Sequence, residues 1–269
     1  MAGGLKRLTT AAIGLPVFFV VIKYLPSWVF LVVVCLSAVV ATMELHAMAR
    51  CRKIETGRVP GALLTVAVIL TFFDGRIGLS AVLAAAVILV PLVWILTGRS
   101  VDGALESISV TLAGVVVLGI TLGCMVRLMG SGGEMGRDLT VLLFLVVWIA
   151  DAGAYFFGSL LGRHPLAPVI SPRKTIEGAL GGLVAGLAAT GLAKAWFFQR
   201  LSVRDTIALG VLLWAAGLAG DLSESLLKRS VSIKDCGTLF PGHGGMLDRT
   251  DSLLFGAPVL LFYYQAFLT

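Results

Sequence analysis

Residues 139–158 read LTVLLFLVVWIADAGAYFFG and contain a single charged side chain, that of Asp151. A helix that crosses the hydrocarbon core of a bilayer needs about 20 predominantly apolar residues. The stretch therefore predicts a membrane-spanning helix. Comparable apolar stretches lie near 9–24, 27–47, 59–73, 78–97, 108–129, 175–197, 205–228 and 252–267. We predict an all-α, polytopic integral membrane protein with about nine transmembrane helices. The short stretch 59–73 begins beside Pro60 and leaves eight or ten spans open.

The composition of the whole chain agrees with this interpretation. Of the 269 residues, 58% are hydrophobic and only 13% are charged, whereas soluble domains carry about 25% charged residues. So few polar groups cannot cover the surface of a soluble fold, and so apolar a chain is not disordered. The four cysteines stand far apart without a C-x-x-C pair, which argues against a zinc site or a disulfide framework.

The distribution of positive charge predicts the orientation in the membrane. With a cytoplasmic N-terminus, about two thirds of the 21 Lys and Arg residues fall in inner loops, as the positive-inside rule requires. Lys194, Arg200 and Arg204 run against this bias. Basic loops facing anionic lipid account for the net charge of +6, so we predict no nucleic-acid partner. We expect a multi-pass protein of the inner (cytoplasmic) membrane.

The charged residues concentrate in one segment, residues 221–251, which read DLSESLLKRSVSIKDCGTLFPGHGGMLDRTD. This ninth of the chain holds about a quarter of its charged side chains. Asp221 directly follows VLLWAAGLAG, and Asp251 stands just before LLFGAPVLLF. Carboxylates at the rim of a span are costly and are functional by default.

Helical spacing and side-chain chemistry sharpen this prediction. Asp221, Ser225 and Lys228 share one helix face, and Asp248 and Asp251 share another. Acidic groups also suit a helix N-terminus, which leaves plain capping open for Asp251. Glycines beside His243 permit close backbone approach to a phosphate. With the basic side chains nearby, the segment has the composition of a magnesium–polyphosphate site.

The segment also resembles the signature of the phosphatidate cytidylyltransferases, or CDP-diacylglycerol synthases. That signature has Ser and Lys-Arg, then Lys-Asp, a small residue, His-Gly-Gly and Asp-Arg-x-Asp at fixed spacings. Every fixed position is filled here, by Ser225, Lys228, Arg229, Lys234, Asp235, Gly237, Pro241, His243, Gly244, Gly245, Asp248, Arg249 and Asp251. The signature covers about a tenth of the chain, and the apolar remainder is similar to the family in length and layout.

The resemblance implies that CTP and phosphatidate are the substrates and CDP-diacylglycerol and pyrophosphate the products. The lipid phosphate would attack the α-phosphorus of CTP with the help of Mg²⁺, and two cations would suit in-line displacement. Our catalytic candidates are Asp221, Lys228, Arg229, Lys234, His243, Asp248, Arg249 and Asp251. For the metal we assign Asp221 and Asp248 first, with Asp251 and Asp151 as secondary ligands. The substrate-binding candidates are Ser225, Gly244, Gly245, Arg173 and Lys174.

A second polar segment supports the first. Ser171-Pro172-Arg173-Lys174 opens the span near 175–197, and we expect Ser171 to be the N-cap and Pro172 the first helical residue. Arg173 and Lys174 either anchor the helix at the interface or bind phosphate. Similar segments are typical of the same family, which favours phosphate binding.

Three further polar residues receive weaker interpretations. Glu44 and His46 are expected only to mark the cytoplasmic end of the second span. His164 lies in a proline-rich loop and is expected to be solvated.

We divide the chain into N-terminal membrane helices, residues 1–130 with about five spans, and C-terminal membrane helices, residues 131–269, with a cytoplasm-facing catalytic site. Two other functions stay open at this point. Intramembrane carboxylates also occur in ion-coupled transporters, and a CTP-using lipid-alcohol kinase needs a similar phosphate site. Small residues at Gly114, Gly119 and Gly123 would permit a homodimer.

Overall fold

The computed structural model describes residues 19–233 and 245–268, and this part of the chain is almost entirely helical. Residues 19–24 are helical and precede the first complete helix. The helices are α1 (Ser27–Cys51), α2 (Arg58–Phe73), α3 (Leu79–Leu96), α4 (Ala104–Met129), α5 (Gly133–Leu161), α6 (Ile176–Trp196), α7 (Val203–Ser230) and α8 (Leu247–Tyr263). A short π-helical segment, Tyr264–Leu268, continues α8. Two strands, β1 (Pro165–Ala167) and β2 (Ser171–Thr175), form an antiparallel hairpin between α5 and α6.

The helices confirm the prediction of an all-α polytopic membrane protein. Seven helices within the described residues are long and apolar enough to cross a membrane. Helix α2 has 16 residues and is shorter than a usual span. Most of the span predicted at 9–24 lies outside the described residues, so the total of nine spans stays a prediction.

The exposed surface of helix α3 is apolar, as is expected of a helix that lies in a membrane. It is apolar on all sides, yet only Ala86, Val90 and Trp94 are buried. Large side chains such as Ile88 and Ile95 remain exposed. A soluble protein rarely exposes so continuous an apolar surface, whereas hydrocarbon chains cover it without cost.

The chain divides into two compact units. The first comprises the described residues of Met1–Gly130 and Ser230–Arg249. In it, α4 packs against α1 and α2 through three glycines. A Cβ added at Gly114 would lie 2.8 Å from Leu45, one at Gly119 would lie 2.8 Å from Val68, and one at Gly123 would meet the ring of Phe72. These glycines are buried within the chain, so their role is internal helix packing and they give no support to a homodimer.

The second unit comprises the described residues of Ser131–Arg229 and Thr250–Thr269. Helices α5 and α6 approach closely here, because a Cβ added at Gly153 would meet Ala185 and one at Gly181 would meet Phe157. Small residues of this kind are typical of contacts between transmembrane helices. The indole of Trp214 on α7 donates a hydrogen bond to the carbonyl of Ala179 on α6 (2.9 Å). Gly220 on α7 in turn lies against the backbone of Asp251 on α8.

The start of α6 differs from the expectation. Ser171 and Pro172 lie in β2, and the N-cap is Thr175, whose hydroxyl accepts a hydrogen bond from the Gly178 N–H (3.1 Å). The prediction of Ser171 as N-cap and Pro172 as first helical residue is therefore wrong. Pairing of β2 with β1, which sets Ala167 opposite Ser171 and Pro165 opposite Thr175, keeps residues 171–175 extended. A second capping residue, Thr175, then starts the helix four positions later.

Candidate functional site

Four carboxylates of the second unit, Asp151, Asp221, Glu224 and Asp251, form a group that we call the carboxylate cluster. Asp151 lies on α5, Asp221 and Glu224 on α7, and Asp251 on α8. The Asp251 carboxylate interacts electrostatically with the other three. Glu224 is buried, Asp221 and Asp251 are half-buried, and Asp151 is exposed. The cluster thus brings together three residues that were predicted from the sequence and one, Glu224, that was not.

Two lysines neutralise part of this charge. The Nζ of Lys174 on β2 lies 2.5 Å from Oδ2 of Asp221. The Nζ of Lys228 donates to Oε2 of Glu224, one helical turn away, at 2.7 Å. Two of the four carboxylates of the cluster, Asp221 and Glu224, are thus each held by an ammonium group.

The hairpin carries Lys174 to Asp221, and a second contact holds it near the end of α7. Arg229 donates from Nε to the carbonyl of Ile170, in the turn of the hairpin (3.3 Å). Arg229 and Arg173 are both exposed. Parts of the two polar segments that the sequence singled out, residues 171–174 and 221–229, are therefore neighbours in the structure.

Glu177 fixes the entry to the hairpin. Its Oε2 accepts hydrogen bonds from the backbone N–H groups of Arg163 (3.0 Å) and His164 (3.2 Å). Its Oε1 lies 2.5 Å from Nδ1 of His164. His164 is exposed, as expected of a loop residue, and it is also paired with Glu177. The first turn of α6 thereby holds the loop that leads into β1.

The first unit holds the other part of the signature, at the start of α8. Oδ2 of Asp248, the second residue of α8, accepts a hydrogen bond from the N–H of Gly245, two positions before the helix begins (2.7 Å). Glu44 on α1 is buried, and its carboxylate accepts from the N–H groups of Met246 (2.9 Å) and Leu247 (2.8 Å). The expectation that Glu44 only marks the end of a span is therefore wrong, because it has specific partners far along the chain.

The remaining signature residues are placed as follows. Ser225 is half-buried on α7, and Arg249 is exposed on α8. Asp251 lies one turn inside α8, where its Oδ1 accepts from the N–H of Ser252 (2.7 Å). The N–H groups at the start of the helix are bound by Glu44 instead. Lys234, His243 and Gly244 lie outside the described residues. Within 19–233 and 245–268, no three His, Cys, Asp or Glu side chains are arranged to enclose a metal ion.

A family model matches nearly the whole chain, and individual relatives match about half of it. The sequence model of a family described as "Cytidylyltransferase family" matches residues 5–267. A phosphatidate cytidylyltransferase of Synechocystis sp. is 48% identical over 134 residues, which are 49% of this chain and 45% of the relative. One from Staphylococcus haemolyticus is 45% identical over 125 residues, 46% of this chain and 48% of the relative. One from Staphylococcus aureus (strain COL) is 45% identical over 126 residues, with the same coverage. The chain spans about half the length of the curated relatives that it matches.

Proposed function

The chain belongs to the cytidylyltransferase family, and we propose that it converts CTP and phosphatidate into CDP-diacylglycerol and pyrophosphate. The observation that carries this proposal is the ion pair between Lys174 and Asp221. It joins the two polar segments that the sequence singled out, at a cluster of carboxylates and basic side chains. The choice of substrates and reaction is supported by the relatives, which are named phosphatidate cytidylyltransferase.

The chemistry requires positioning more than activation of the nucleophile. Phosphatidate carries an anionic phosphate near neutral pH, so the barrier is the repulsion between this phosphate and the triphosphate of CTP. A lipid phosphate oxygen forms a bond to the α-phosphorus, and the bond from that phosphorus to the bridging oxygen breaks, which releases pyrophosphate. Positive side chains held in place lower the barrier because they stabilise the charge on both groups and align them.

The basic side chains around the cluster are suited to this task. Arg173 and Arg229 are exposed in the same unit as the cluster, and the exposed Arg249 remains a candidate from the signature. Lys174 and Lys228 are held by carboxylates, which places their ammonium groups before any substrate arrives. The incoming triphosphate competes with those carboxylates for the lysines. Lys234 and His243 remain candidates from the signature alone.

The donor chemistry fits Mg²⁺. The carboxylate cluster offers oxygen atoms, which are the ligands that Mg²⁺ prefers. Asp221 would be the first ligand of a cation, Asp251 and Asp151 are secondary candidates, and Asp248 remains a candidate ligand from the signature. Mg²⁺ usually keeps several waters and binds substrate phosphates, so a closed cage of protein ligands is not required. When bound, the cation neutralises charge on the triphosphate, and a second cation would act in the same way.

The proposal also includes the membrane location of the reaction and the partners of the protein. The lipid substrate enters from the bilayer and the nucleotide from the cytoplasm, at the inner membrane. CTP and phosphatidate are the partners, and nucleic acid has no part in the reaction. A homodimer stays a prediction.

The decisive experiment incubates the purified protein in lipid nanodiscs with α-³²P-labelled CTP, phosphatidate and MgCl₂. We expect label in the lipid fraction and release of pyrophosphate, with both lost in EDTA and restored by Mg²⁺. Release of CDP in place of pyrophosphate would indicate a lipid kinase, and absence of a labelled lipid would favour a transporter.

Asp221→Asn should reduce this turnover by about two orders of magnitude, because it removes the charge that holds both Lys174 and the cation. Asp102→Asn, which changes an exposed loop carboxylate of the first unit, is the matched control and should leave turnover unchanged. Full activity in Asp221→Asn would contradict the metal assignment.

A further inference from the structure

The first turn of α8 is held by a residue that lies far away in the sequence. Glu44 on α1 is only 8% exposed, and its two carboxylate oxygens accept from the N–H groups of Met246 and Leu247 at 2.9 and 2.8 Å. The first four N–H groups of a helix have no partner within the helix. A buried carboxylate is costly unless it is hydrogen-bonded. The Glu44 carboxylate thus provides acceptors for the N–H groups of Met246 and Leu247, and these N–H groups provide the hydrogen bonds that a buried carboxylate requires.

The carboxylate of Glu44 also accounts for the glycine at position 245, just before this turn. A Cβ added at Gly245 would lie 2.5 Å from Oε1 and 2.6 Å from Oε2 of Glu44. Real Cβ atoms do not approach that closely, so the second glycine of His-Gly-Gly leaves room for the Glu44 carboxylate. The Gly245 N–H is at the same time bonded to Asp248. Three consecutive N–H groups, 245–247, are thus bound by two carboxylates.

These contacts fix the part of the chain that carries the Asp-Arg-x-Asp motif. Asp248 and Arg249 belong to the turn that Glu44 caps, and Asp251 follows on the same helix. Because side chains on a helix are oriented by their backbone, a loosened first turn changes where Asp248 and Arg249 point. Misplacement by about 1 Å reduces enzymatic rates by up to about 100-fold.

We propose that Glu44 is a positioning residue for the cytidylyl transfer and acts through the N-terminus of α8. The inference rests on the proposed function. Glu44 has no need to touch either substrate. It holds Asp248 and Arg249 where they bind metal and phosphate.

The test compares Glu44→Ala and Glu44→Gln with Thr42→Val. Thr42 lies on the same helix, is also buried, and donates its hydroxyl to the carbonyl of Ala38 within α1 (2.7 Å). For Glu44→Ala we expect kcat to fall at least about tenfold, with the KM for phosphatidate changed less than about threefold. Glu44→Gln keeps one oxygen acceptor and should lie between Glu44→Ala and the wild type. Thr42→Val should lower the melting temperature without a change in kcat.

Two further measurements separate positioning from a general loss of stability. Amide hydrogen exchange of the peptide containing Met246 and Leu247 should accelerate in Glu44→Ala and not in Thr42→Val. Gly245→Ala should slow turnover in the wild-type background and cost much less in the Glu44→Ala background, because the clash is then gone.

The outcomes discriminate between the two claims. A wild type that forms no CDP-diacylglycerol overturns the proposed function. A wild type that forms it, together with a Glu44→Ala variant of unchanged kcat or unchanged exchange at 246–247, overturns only the role of Glu44. A kcat loss that merely follows the melting temperature, as judged by Thr42→Val, also overturns that role.

Discussion

Asp221 and Lys174 illustrate how single residues were identified from sequence. Both were singled out because a charged side chain in or beside a membrane span costs free energy and therefore indicates a functional role. Their direct pairing at 2.5 Å was not predictable, since Lys174 lies in a strand 47 positions before Asp221 in a different segment. Glu224 was missed because its local surroundings, a polar helix end, give no sign that it becomes buried. Glu44 was undervalued because its partners Met246 and Leu247 are more than 200 residues away.

The pairing yields a prediction at the residue scale. Lys174→Gln should lower kcat/KM for CTP at least about tenfold, because it removes a positioned positive charge. In the Asp221→Asn background, Lys174→Gln should lower kcat/KM much less than it does in the wild type, since the effects of substitutions at two residues in direct contact are not additive. Steady-state kinetics in nanodiscs measures both effects.

Lys53→Gln makes the same change of charge at an exposed position and is the control. Strictly additive losses in the double variant would show that Lys174 and Asp221 act independently, contrary to the structure.

At the scale of elements, hydropathy located the spans well and their ends poorly. The helix predicted at 139–158 extends over Gly133–Leu161, and that predicted at 108–129 begins at Ala104. Helices continue beyond the hydrocarbon core with polar turns that hydropathy does not detect. The hairpin was missed altogether. Ser171 and Thr175 both resemble N-caps, and only pairing with β1 decides between them.

This arrangement predicts that Thr175, and not Ser171, stabilises the start of α6. Thr175→Ala should cost about 1 kcal/mol because Gly178 then loses its acceptor. Ser171→Ala should cost less than about 0.5 kcal/mol, as is usual for a substitution outside a cap or core.

Thermal unfolding of both variants in the same detergent checks this prediction. An equal loss for the two variants would indicate that Ser171 caps the helix after all. Because Lys174 precedes Thr175 directly, we also expect weaker CTP binding by Thr175→Ala and unchanged binding by Ser171→Ala.

At the scale of the whole molecule, composition alone was sufficient to predict a polytopic helical membrane protein, and the motif was sufficient to predict the family. Both rest on properties that hold without knowledge of tertiary contacts: the length of apolar stretches, and the identity of signature residues at fixed spacing. The packing of the helices against one another was not predictable from the sequence. Gly114, Gly119 and Gly123 are as compatible with a dimer interface as with burial inside one chain, and only the positions of Leu45, Val68 and Phe72 resolve the choice.

Orientation in the membrane is the prediction that belongs to this scale. Cys51 is exposed at the end of α1, and a cytoplasmic N-terminus puts it on the inner side. Gly75, in the loop after α2, then lies outside. In a variant whose other cysteines are replaced, a membrane-impermeant maleimide added to intact spheroplasts should label Gly75→Cys and leave Cys51 unmodified.

Permeabilised spheroplasts, in which both cysteines should react, provide the control. Labelling of Cys51 in intact spheroplasts would show that the orientation is the reverse of the predicted one.

The contact between Glu44 and the start of α8 has a consequence for biosynthesis. The ribosome produces Glu44 some 200 residues before it produces Met246 and Leu247, so the nascent chain holds an acid whose two donors do not yet exist. A chain that stalls before residue 245 keeps that acid without these donors. We expect membrane quality control to recognise such an interrupted chain more readily, because a buried carboxylate without hydrogen-bond donors is costly.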